Sequence, residues 1–420
     1  MGEVSLAYGS RSLSFSFDEQ YFQILGSEAH LTPLSDPEIG AAIDSPIESP
    51  ALEEIISAGD SVLIVVSDAT RATGSSQSVN LLVRRLIQSG IQPAGISIIF
   101  ATGIHRSVTP EEKLELLTPF IVQRVQLLDH DAADAAKLID FGFTNRGTRV
   151  ELNRALKDFD HVVIIGGIGF HYFAGFTGGR KSVCPGLAST ATVEATHMLA
   201  LDFEQGGRRA GVGTGLLDGN AVHEECEHIA DLINPSFTIN TVVDERGRIA
   251  QLFAGHWREA HRRGCAEYLA RHSVKIPAKR DLVIASCGGS PYDINLIQAH
   301  KTLDMAAHAC REGGTIILLA ECRDGLGRAD FLKWFEERDS LALETRLQRG
   351  YEVNGQTAWA LLTKAERFRV LLVSELASQD VKLMRMFPFR SLDEAITQAS
   401  HTDGAYIMPR GASSLPLVRH

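Results

Sequence analysis

The stretch HVVIIGGIGFHYFAGFTGGRKSVCPGLAS, residues 161–189, begins as an apolar run and continues as a loop rich in glycine. The apolar run HVVIIGG, residues 161–167, predicts a buried β-strand. Glycines in the loop allow the backbone to approach a ligand closely, because they carry no Cβ. One imidazole, His171, and one amine, Lys181, lie on either side of residues 175–179. A strand that ends in such a loop is typical of α/β proteins that bind ligands beyond the carboxyl ends of their strands.

Each of these side chains also has a purely structural explanation. A histidine at a strand end is often a hydrogen-bonded structural residue, and a Gly-Gly-Arg-Lys run is often a solvated turn. The functional interpretation rests on having both in one segment, since imidazole moves protons near neutral pH and lysine binds anions or acts as a nucleophile. A phosphate-binding P-loop is disfavoured, because Arg180 occupies the position where that motif requires glycine.

Outward from this segment, apolar runs alternate with segments of helical periodicity. Buried strands are predicted at residues 61–68, 95–103, 161–167, 281–289, 313–321, 368–376 and 404–411. Such alternation predicts mostly parallel sheets that are flanked by helices. We therefore expect an α/β fold with two domains, each a mostly parallel sheet flanked by helices, and an active site in the cleft between the domains.

The length of 420 residues is sufficient for two domains with apolar cores, since 44% of the residues are hydrophobic. An N-terminal domain is predicted over residues 1–273 and a C-terminal α/β domain over residues 281–420. The segment VKIPAKR, residues 274–280, is predicted to link them. Within the first domain, residues 4–17 alternate around Gly9-Ser10 and predict a β-hairpin.

Composition excludes several classes of function. The net charge of −11 argues against nucleic acid as the main partner, because neutralising phosphates requires a basic face. The six cysteines are scattered without a CxxC pair, which indicates neither a thiolate zinc site nor a disulfide framework. No apolar run approaches the roughly 20 residues that span a bilayer, and the N-terminus lacks the apolar segment of a signal peptide. We expect a cytoplasmic protein without membrane partners.

Polar motifs follow three of the predicted strands: SDATRAT (67–73), ATGIHRS (101–107) and GGIGFHYF (166–173). Arg71 can bind a carboxylate or phosphate through two parallel hydrogen bonds. His105 lies just after a strand and just before a helix, where a catalytic imidazole is common. The structural alternatives are a weak surface ion pair around Arg71 and a helix-entry role for His105.

Further candidates lie outside these loops. His197 falls in a predicted helix, where an imidazole is either structural or a metal ligand. The segment HEECEH, residues 223–228, lacks the HExxH pattern of zinc hydrolases, and we predict that it forms an exposed acidic helix. Gln298 and Lys301 are three residues apart, which predicts that they share a helix face.

Taken in order, SDATR, TGIHR, HYFAGFTGGRKSVCPG, the spaced His197 and DINLIQAHK resemble the nickel-dependent lactate racemase family over nearly the whole chain. Members use a nickel–pincer nucleotide, Ni(II)-pyridinium-3,5-bisthiocarboxylic acid mononucleotide. The resemblance implies that the N-terminal domain binds this cofactor and nickel, while the C-terminal domain contributes substrate contacts. It also implies that cofactor-biosynthesis enzymes are partners during maturation.

The resemblance assigns a role to each motif. Lys181 matches the lysine that bonds covalently to a thiocarboxyl arm of the cofactor, and His197 matches the nickel ligand. His105 and His171 match the acid–base pair. The remaining matches are cofactor contacts at Asp68, Ala69, Thr70 and Arg71, and substrate contacts at Arg71, Gln298 and Lys301.

The implied activity is racemisation or epimerisation of a small, lactate-like 2-hydroxy acid by reversible hydride transfer. An epimerase of a larger or polyhydroxylated 2-hydroxy acid, such as a sugar acid, malate or an aryl lactate, would use the same machinery. A non-catalytic nucleotide- or cofactor-binding protein is the alternative from another class. A metal hydrolase using His223 and His228 is a further alternative.

Overall fold

The computed structural model describes residues 1–26, 31–352, 354–399 and 404–419. Its contacts divide the chain into two compact units. The C-terminal unit contains the N-terminal strands, the segment Leu201–Arg208 and the chain from Leu269 onward. The N-terminal unit contains the intervening chain up to Ala200 together with the segment Arg209–Tyr268.

The strands, in chain order, are β1 (Gly2–Tyr8), β2 (Arg11–Phe17), β3 (Phe22–Ile24), β4 (Val62–Ser67), β5 (Ile96–Ala101), β6 (Gln126–Asp129), β7 (Leu138–Phe143), β8 (Arg149–Asn153), β9 (His161–Gly167), β10 (Phe170–His171), β11 (Gly175–Phe176), β12 (Phe237–Val243), β13 (Ile249–Gly255), β14 (Ser273–Ile276), β15 (Arg280–Ser286), β16 (Cys310–Leu319), β17 (Arg369–Val373), β18 (Phe387–Phe389), β19 (Ala405–Met408) and β20 (Leu415–Val418). The α-helices are α1 (Asp36–Asp44), α2 (Leu52–Ile55), α3 (Ser75–Gln88), α4 (Pro110–Val122), α5 (Ala155–Asp158), α6 (Thr190–Met198), α7 (Ala221–Ile233), α8 (Trp257–His272), α9 (Leu296–Ala309), α10 (Ser340–Arg349), α11 (Gly355–Arg367), α12 (Ser378–Leu383) and α13 (Leu392–Thr397).

The N-terminal unit is built on a six-stranded sheet in the order β13-β12-β9-β4-β5-β6. All neighbouring strands are parallel except β13, which runs antiparallel to β12. Most residues of the central strands are apolar, because helices cover both faces of the sheet. Helices α1, α3 and α4 contribute to the core on one face, while α6 and α7 contribute to the core on the other. The predicted α/β architecture of this unit is therefore confirmed.

The C-terminal unit has a second six-stranded sheet in the order β18-β17-β16-β15-β19-β3, which is parallel throughout. The predicted hairpin forms as β1 and β2, and its apolar side chains join the core of this sheet. The first 24 residues thus pack with the C-terminal strands, whereas the sequence assigned them to an N-terminal domain over residues 1–273. The cause is that β3 pairs with β19 at the sheet edge.

The segment 274–280, which the sequence predicts to be a linker, is partly a β-strand in the structure. Its first residues continue β14, which pairs in parallel with β20. The other predicted limits of the two domains stay a prediction.

Helix α7 contradicts the expectation of an exposed acidic helix over residues 223–228. His223 and Glu225 are fully buried, and Glu227 is only 8% exposed. Each carboxylate has a partner: Glu225 accepts a hydrogen bond from Thr144, and Glu227 pairs with Arg262. Charged residues can be buried in a protein interior when they are paired. The acidic residues in this segment therefore did not indicate that the helix is exposed.

None of the helices in the described part of the chain has the length and apolar character needed to cross a bilayer.

A buried ion pair inside the C-terminal unit yields a first prediction. Lys364 Nζ lies 2.7 Å from Asp304 Oδ1, and the two side chains are 8% and 3% exposed. Lys364→Met should lower the free energy of unfolding by about 3 kcal/mol, because it removes the nearest cation from a buried carboxylate. The control is Lys333→Met, which breaks a half-exposed pair with Glu352 and should cost about 1 kcal/mol or less. Equal losses in urea denaturation would contradict the prediction.

Candidate active site

Three loops meet at the carboxyl edge of the sheet in the N-terminal unit. They follow the adjacent strands β9, β4 and β5, as the sequence predicted. The backbone N–H of Gly103 donates to Gly186 O at 2.8 Å, which joins the loop after β5 to the segment that follows Lys181. Thr241 Oγ1 on β12 donates to Thr73 O at 2.7 Å, which anchors the loop after β4. The predicted ligand-binding loops are therefore in mutual contact.

Asp68 and His105 form a pair between two of these loops. His105 Nδ1 lies 2.8 Å from Asp68 Oδ2, while the backbone N–H of Thr70 donates to Asp68 Oδ1 at 2.9 Å. Burial raises the pKa of the Asp68 carboxyl, but the hydrogen bonds from His105 and Thr70 and the charge of Arg71 outweigh it and lower the pKa. An ionised carboxylate only accepts hydrogen bonds. His105 therefore carries a proton on Nδ1, so the neutral form of the ring has its lone pair on Nε2, where it can act as a base.

His171 has the opposite arrangement. Its Nδ1 accepts hydrogen bonds from the backbone N–H groups of Ala174, at 3.2 Å, and Phe173, at 3.5 Å. A neutral imidazole has one donor and one acceptor nitrogen, so Nε2 of His171 carries the proton. Nε2 lies 3.1 Å from Lys181 Nζ. The imidazole therefore donates to Lys181, and this contact requires a neutral amine.

Lys181 is partly buried at the end of this loop. Burial lowers the pKa of Lys181 to about 7, and the nearby cations Arg180 and Arg71 act in the same direction. Nζ also lies 5.3 Å from the centre of the Phe173 ring. A substantial fraction of neutral amine at physiological pH makes this lysine a candidate nucleophile.

His197 lies near the end of α6, and its ring contacts that of Phe173. The two ring centres are 5.1 Å apart in an edge-to-face arrangement, and the centre of the His171 ring lies 4.4 Å from that of Phe173. Burial, followed by the charge of Lys181, lowers the pKa of His197 to about 3. Because a metal binds the neutral imidazole, His197 is in the ligand form throughout the physiological range.

Among the described residues, no three His, Cys, Asp or Glu side chains are placed to hold a metal ion by themselves. This includes His223 and His228, the pair considered for a metal hydrolase. A metal at His197 would therefore need most of its ligands from a bound molecule.

Arg180 is a site residue that the sequence did not reveal, although its presence in place of a glycine disfavours a P-loop. Its side chain is 1% exposed. Nη2 donates to the carbonyl oxygens of Ala174 and Phe176, at 2.9 and 3.1 Å, and Nη1 lies 2.8 Å from His261 Nε2. A single guanidinium thus holds the turn that carries His171.

Asn240 was also missed. Its Oδ1 accepts a hydrogen bond from the backbone N–H of Gly179 at 2.9 Å. Gly178 and Gly179 adopt positive φ, and a Cβ at Gly179 would lie 2.9 Å from the His261 ring. The signal was an amide within the otherwise buried strand FTINTVV, since a buried polar side chain in a central strand needs a partner.

The remaining predicted residues occupy two places. Ala69, Thr70 and Arg71 lie at the exposed rim of the loop after β4. Gln298 and Lys301 lie on α9 of the C-terminal unit, where Lys301 Nζ donates to Gln298 Oε1 at 2.6 Å. Their shared helix face is confirmed, and the cofactor and substrate contacts of all five residues stay predictions.

Parallel sheets with imidazoles, an amine and a carboxylate at the carboxyl edge of one of them are typical of an α/β enzyme. The chain belongs to the lactate racemase family: the model of the lactate racemase N-terminal domain matches residues 8–207, and that of the lactate racemase C-terminal domain matches residues 275–413.

Relatives agree with this assignment. The chain is 31% identical to the lactate racemase of Thermoanaerobacterium thermosaccharolyticum over 94% of both chains, and 32% identical to that of Lactiplantibacillus plantarum over 96% of both. The structure of the lactate racemase apoprotein from the former organism superposes with a TM-score of 0.90, at 30% identity and full coverage of both chains. A protein of Thermotoga maritima, at 19% identity and a TM-score of 0.68 over 93% of this chain and all of its own, shares the fold.

Buried histidines in the N-terminal unit predict sensitivity to acid. Burial lowers the pKa of His130 and of His223, and lowers that of His261 well below its usual value of 6.5. Below about pH 6.5 the unfolded chain binds protons that the folded chain does not, so stability is lost as the pH falls. Each histidine should cost about 1 kcal/mol per pH unit. Urea midpoints at pH 7.5 and 5.5 measure this loss, and His130→Asn should reduce the slope; identical midpoints would contradict it.

Proposed function

We propose that this protein racemises or epimerises a small, lactate-like 2-hydroxy acid at a nickel–pincer nucleotide attached to Lys181. The observation that carries the proposal is that the two imidazoles have opposite partners at Nδ1: a carboxylate at His105 and backbone N–H groups at His171, which favour opposite tautomers. The lactate racemases among its relatives support the substrate class.

The reaction requires the configuration at C2 to be lost and regained. The C2 hydrogen is too weakly acidic for a side chain to remove, so the bound cofactor would supply a hydride acceptor that returns the hydride to either face. The chain itself moves the hydroxyl proton. His105 accepts it at Nε2 from one enantiomer, while His171 delivers a proton from Nε2 on the other side, and the roles reverse for the opposite enantiomer.

Cations would bind the substrate carboxylate. Arg71 is exposed at the rim of the loop after β4, where its guanidinium can form two parallel hydrogen bonds to a carboxylate. The resemblance adds Gln298 and Lys301 as substrate contacts. Lys301 would polarise the C2 oxygen of the 2-keto acid that forms when hydride leaves C2. These groups orient the acid for proton transfer and do not react themselves.

The residues present suit the cofactor. A neutral amine at Lys181 can bond to its thiocarboxyl arm, and the neutral imidazole of His197 is a suitable nickel ligand. The soft donors that nickel needs in addition would come from the pincer, in agreement with the single imidazole offered here. Asp68, Ala69, Thr70 and Arg71 would contact the nucleotide.

The test is to produce the chain beside the cofactor-assembly enzymes and to follow single enantiomers by chiral chromatography. We expect lactate-like acids to lose optical purity, while a panel of sugar acids, malate and aryl lactates tests the epimerase alternative. In D₂O the C2 hydrogen should be retained, because it moves as hydride. No turnover of any acid by the loaded protein would favour a cofactor-binding protein, and deuterium at C2 would exclude hydride transfer.

A further inference from the structure

We propose that His171 has a second task that precedes turnover: it holds Lys181 as a neutral nucleophile, ready to form its bond to an acyl group. The inference rests on the proposed function for its physiological acyl donor, the thiocarboxyl arm of the cofactor. The contact itself belongs to the chain, and its consequences can be measured on the protein alone.

The direction of the hydrogen bond carries the argument. Two backbone N–H groups, those of Phe173 and Ala174, point at His171 Nδ1 and fix it as an acceptor. The proton on Nε2 is then directed at Lys181 Nζ over 3.1 Å. An ammonium at Nζ would place a hydrogen against this N–H, and relieving the clash would require the imidazole to turn its Nδ1 proton against the backbone. The loop therefore disfavours the charged form of Lys181.

The surroundings of Lys181 act on the same equilibrium. Burial lowers the pKa of Lys181 to about 7, so the neutral and charged amine are both populated near neutral pH. The hydrogen bond from His171 can therefore shift the balance between these two forms. The charges of Arg180 and Arg71 lower this pKa further, while the thiols of Cys226 and Cys184 raise it. His197, on α6, experiences the charge of Lys181 in turn. Substitutions at position 171 leave these other groups in place.

The acylation step balances without an additional reagent. Nζ forms a bond to the thiocarboxyl carbon, and the carbon–oxygen bond breaks. The oxygen leaves as water with one proton from the amine and one from the thiocarboxylic acid, which produces a thioamide. A neutral amine is essential because an ammonium has no lone pair for the attack.

The test uses the protein without cofactor and acetic anhydride as the acyl donor. Acylation of Lys181 is measured by peptide mass spectrometry across pH 5–10, relative to the exposed Lys157 in the same sample. The decisive variants are His171→Gln, whose amide can still donate to Nζ, and His171→Glu, which has a similar size but whose carboxylate can only accept. His105→Ala serves as a control, because the structure gives His105 its contact with Asp68 and not with Lys181.

We expect the relative acylation rate at pH 7 to stay within about twofold in His171→Gln and in His105→Ala. In His171→Glu the rate should fall about tenfold or more, since a carboxylate favours the ammonium and each pKa unit changes the neutral fraction tenfold. Equal rates in the Gln and Glu variants, or a Lys181 that is unreactive at pH 7 in the unmodified chain, would overturn the proposal.

The same variants separate this inference from the proposed function. After production beside the cofactor-assembly enzymes, His171→Gln should retain the mass of the attached cofactor yet lose racemisation, because an amide does not exchange protons as imidazole does. An unmodified chain that acylates as expected but never racemises an acid would refute the proposed function and leave the role of His171 in activating Lys181 intact.

Discussion

Replacing Lys181 by arginine is expected to abolish both covalent cofactor attachment and racemisation. Arginine preserves the positive charge and much of the length, but its guanidinium stays protonated and is not a nucleophile at neutral pH. Intact-protein mass spectrometry after production beside the cofactor-assembly enzymes measures attachment directly. The activity of the variant should fall to the background of a chain produced without those enzymes.

The matched control is Lys137→Arg. Lys137 is in the same unit, and its Nζ donates to Asp129 O at 3.2 Å, a contact that arginine can also make. This variant should keep both the cofactor mass and the activity. A Lys181→Arg chain that still carries the cofactor mass would show that attachment takes place elsewhere and would remove the basis of the proposed function.

Asp68→Asn is expected to lower kcat for racemisation by about 10²- to 10⁴-fold, the range typical for loss of general acid–base catalysis. The carboxylate holds the His105 proton on Nδ1, whereas an asparagine amide can donate to Nδ1 and thereby shift that proton to Nε2. His105 would then lack the lone pair that accepts the substrate proton. The initial rates of both enantiomers with the loaded enzyme measure this loss.

A second Asp–His pair in the same unit provides a control for the Asp68→Asn substitution, because it has the same side chains outside the site. His161 Nε2 lies 3.0 Å from Asp60 Oδ2 at the amino end of β9, at the opposite edge of the sheet from the three loops. Asp60→Asn should leave kcat unchanged within about twofold. If Asp68→Asn and Asp60→Asn had the same effect, the orientation of His105 would have no part in the reaction.

Much of the scaffold could be predicted because its signals are local. The runs VLIVVS and ISIIFA are apolar except for one serine each, and such runs are typical of central parallel strands. Glycines and polar residues directly after them mark the loops that carry Asp68, His105 and His171. The start of α4 is marked by an equally local signal, because the capping box between Thr109 and Glu112 depends only on a spacing of three residues.

The features that escaped prediction depend on contacts that form only in the folded chain. Arg180 looks like a solvated residue in its own segment, and only the folded turn supplies the four carbonyl oxygens and the imidazole that surround it. The burial of α7 depends likewise on Thr144 and Arg262. A local pattern carries no information about such partners.

The pairing of β3 with β19 also constrains how the chain can be made. The ribosome releases the edge strand β3 long before its neighbour β19, so the apolar hairpin remains without the rest of its sheet while the intervening residues are translated. Closing so large a loop is slow, and exposed apolar strands in the interval invite association with other chains. A fragment that starts at Leu269 would lack both the hairpin and the edge strand. Recombinant versions of this unit therefore need the segment from β1 to β3 fused to the fragment.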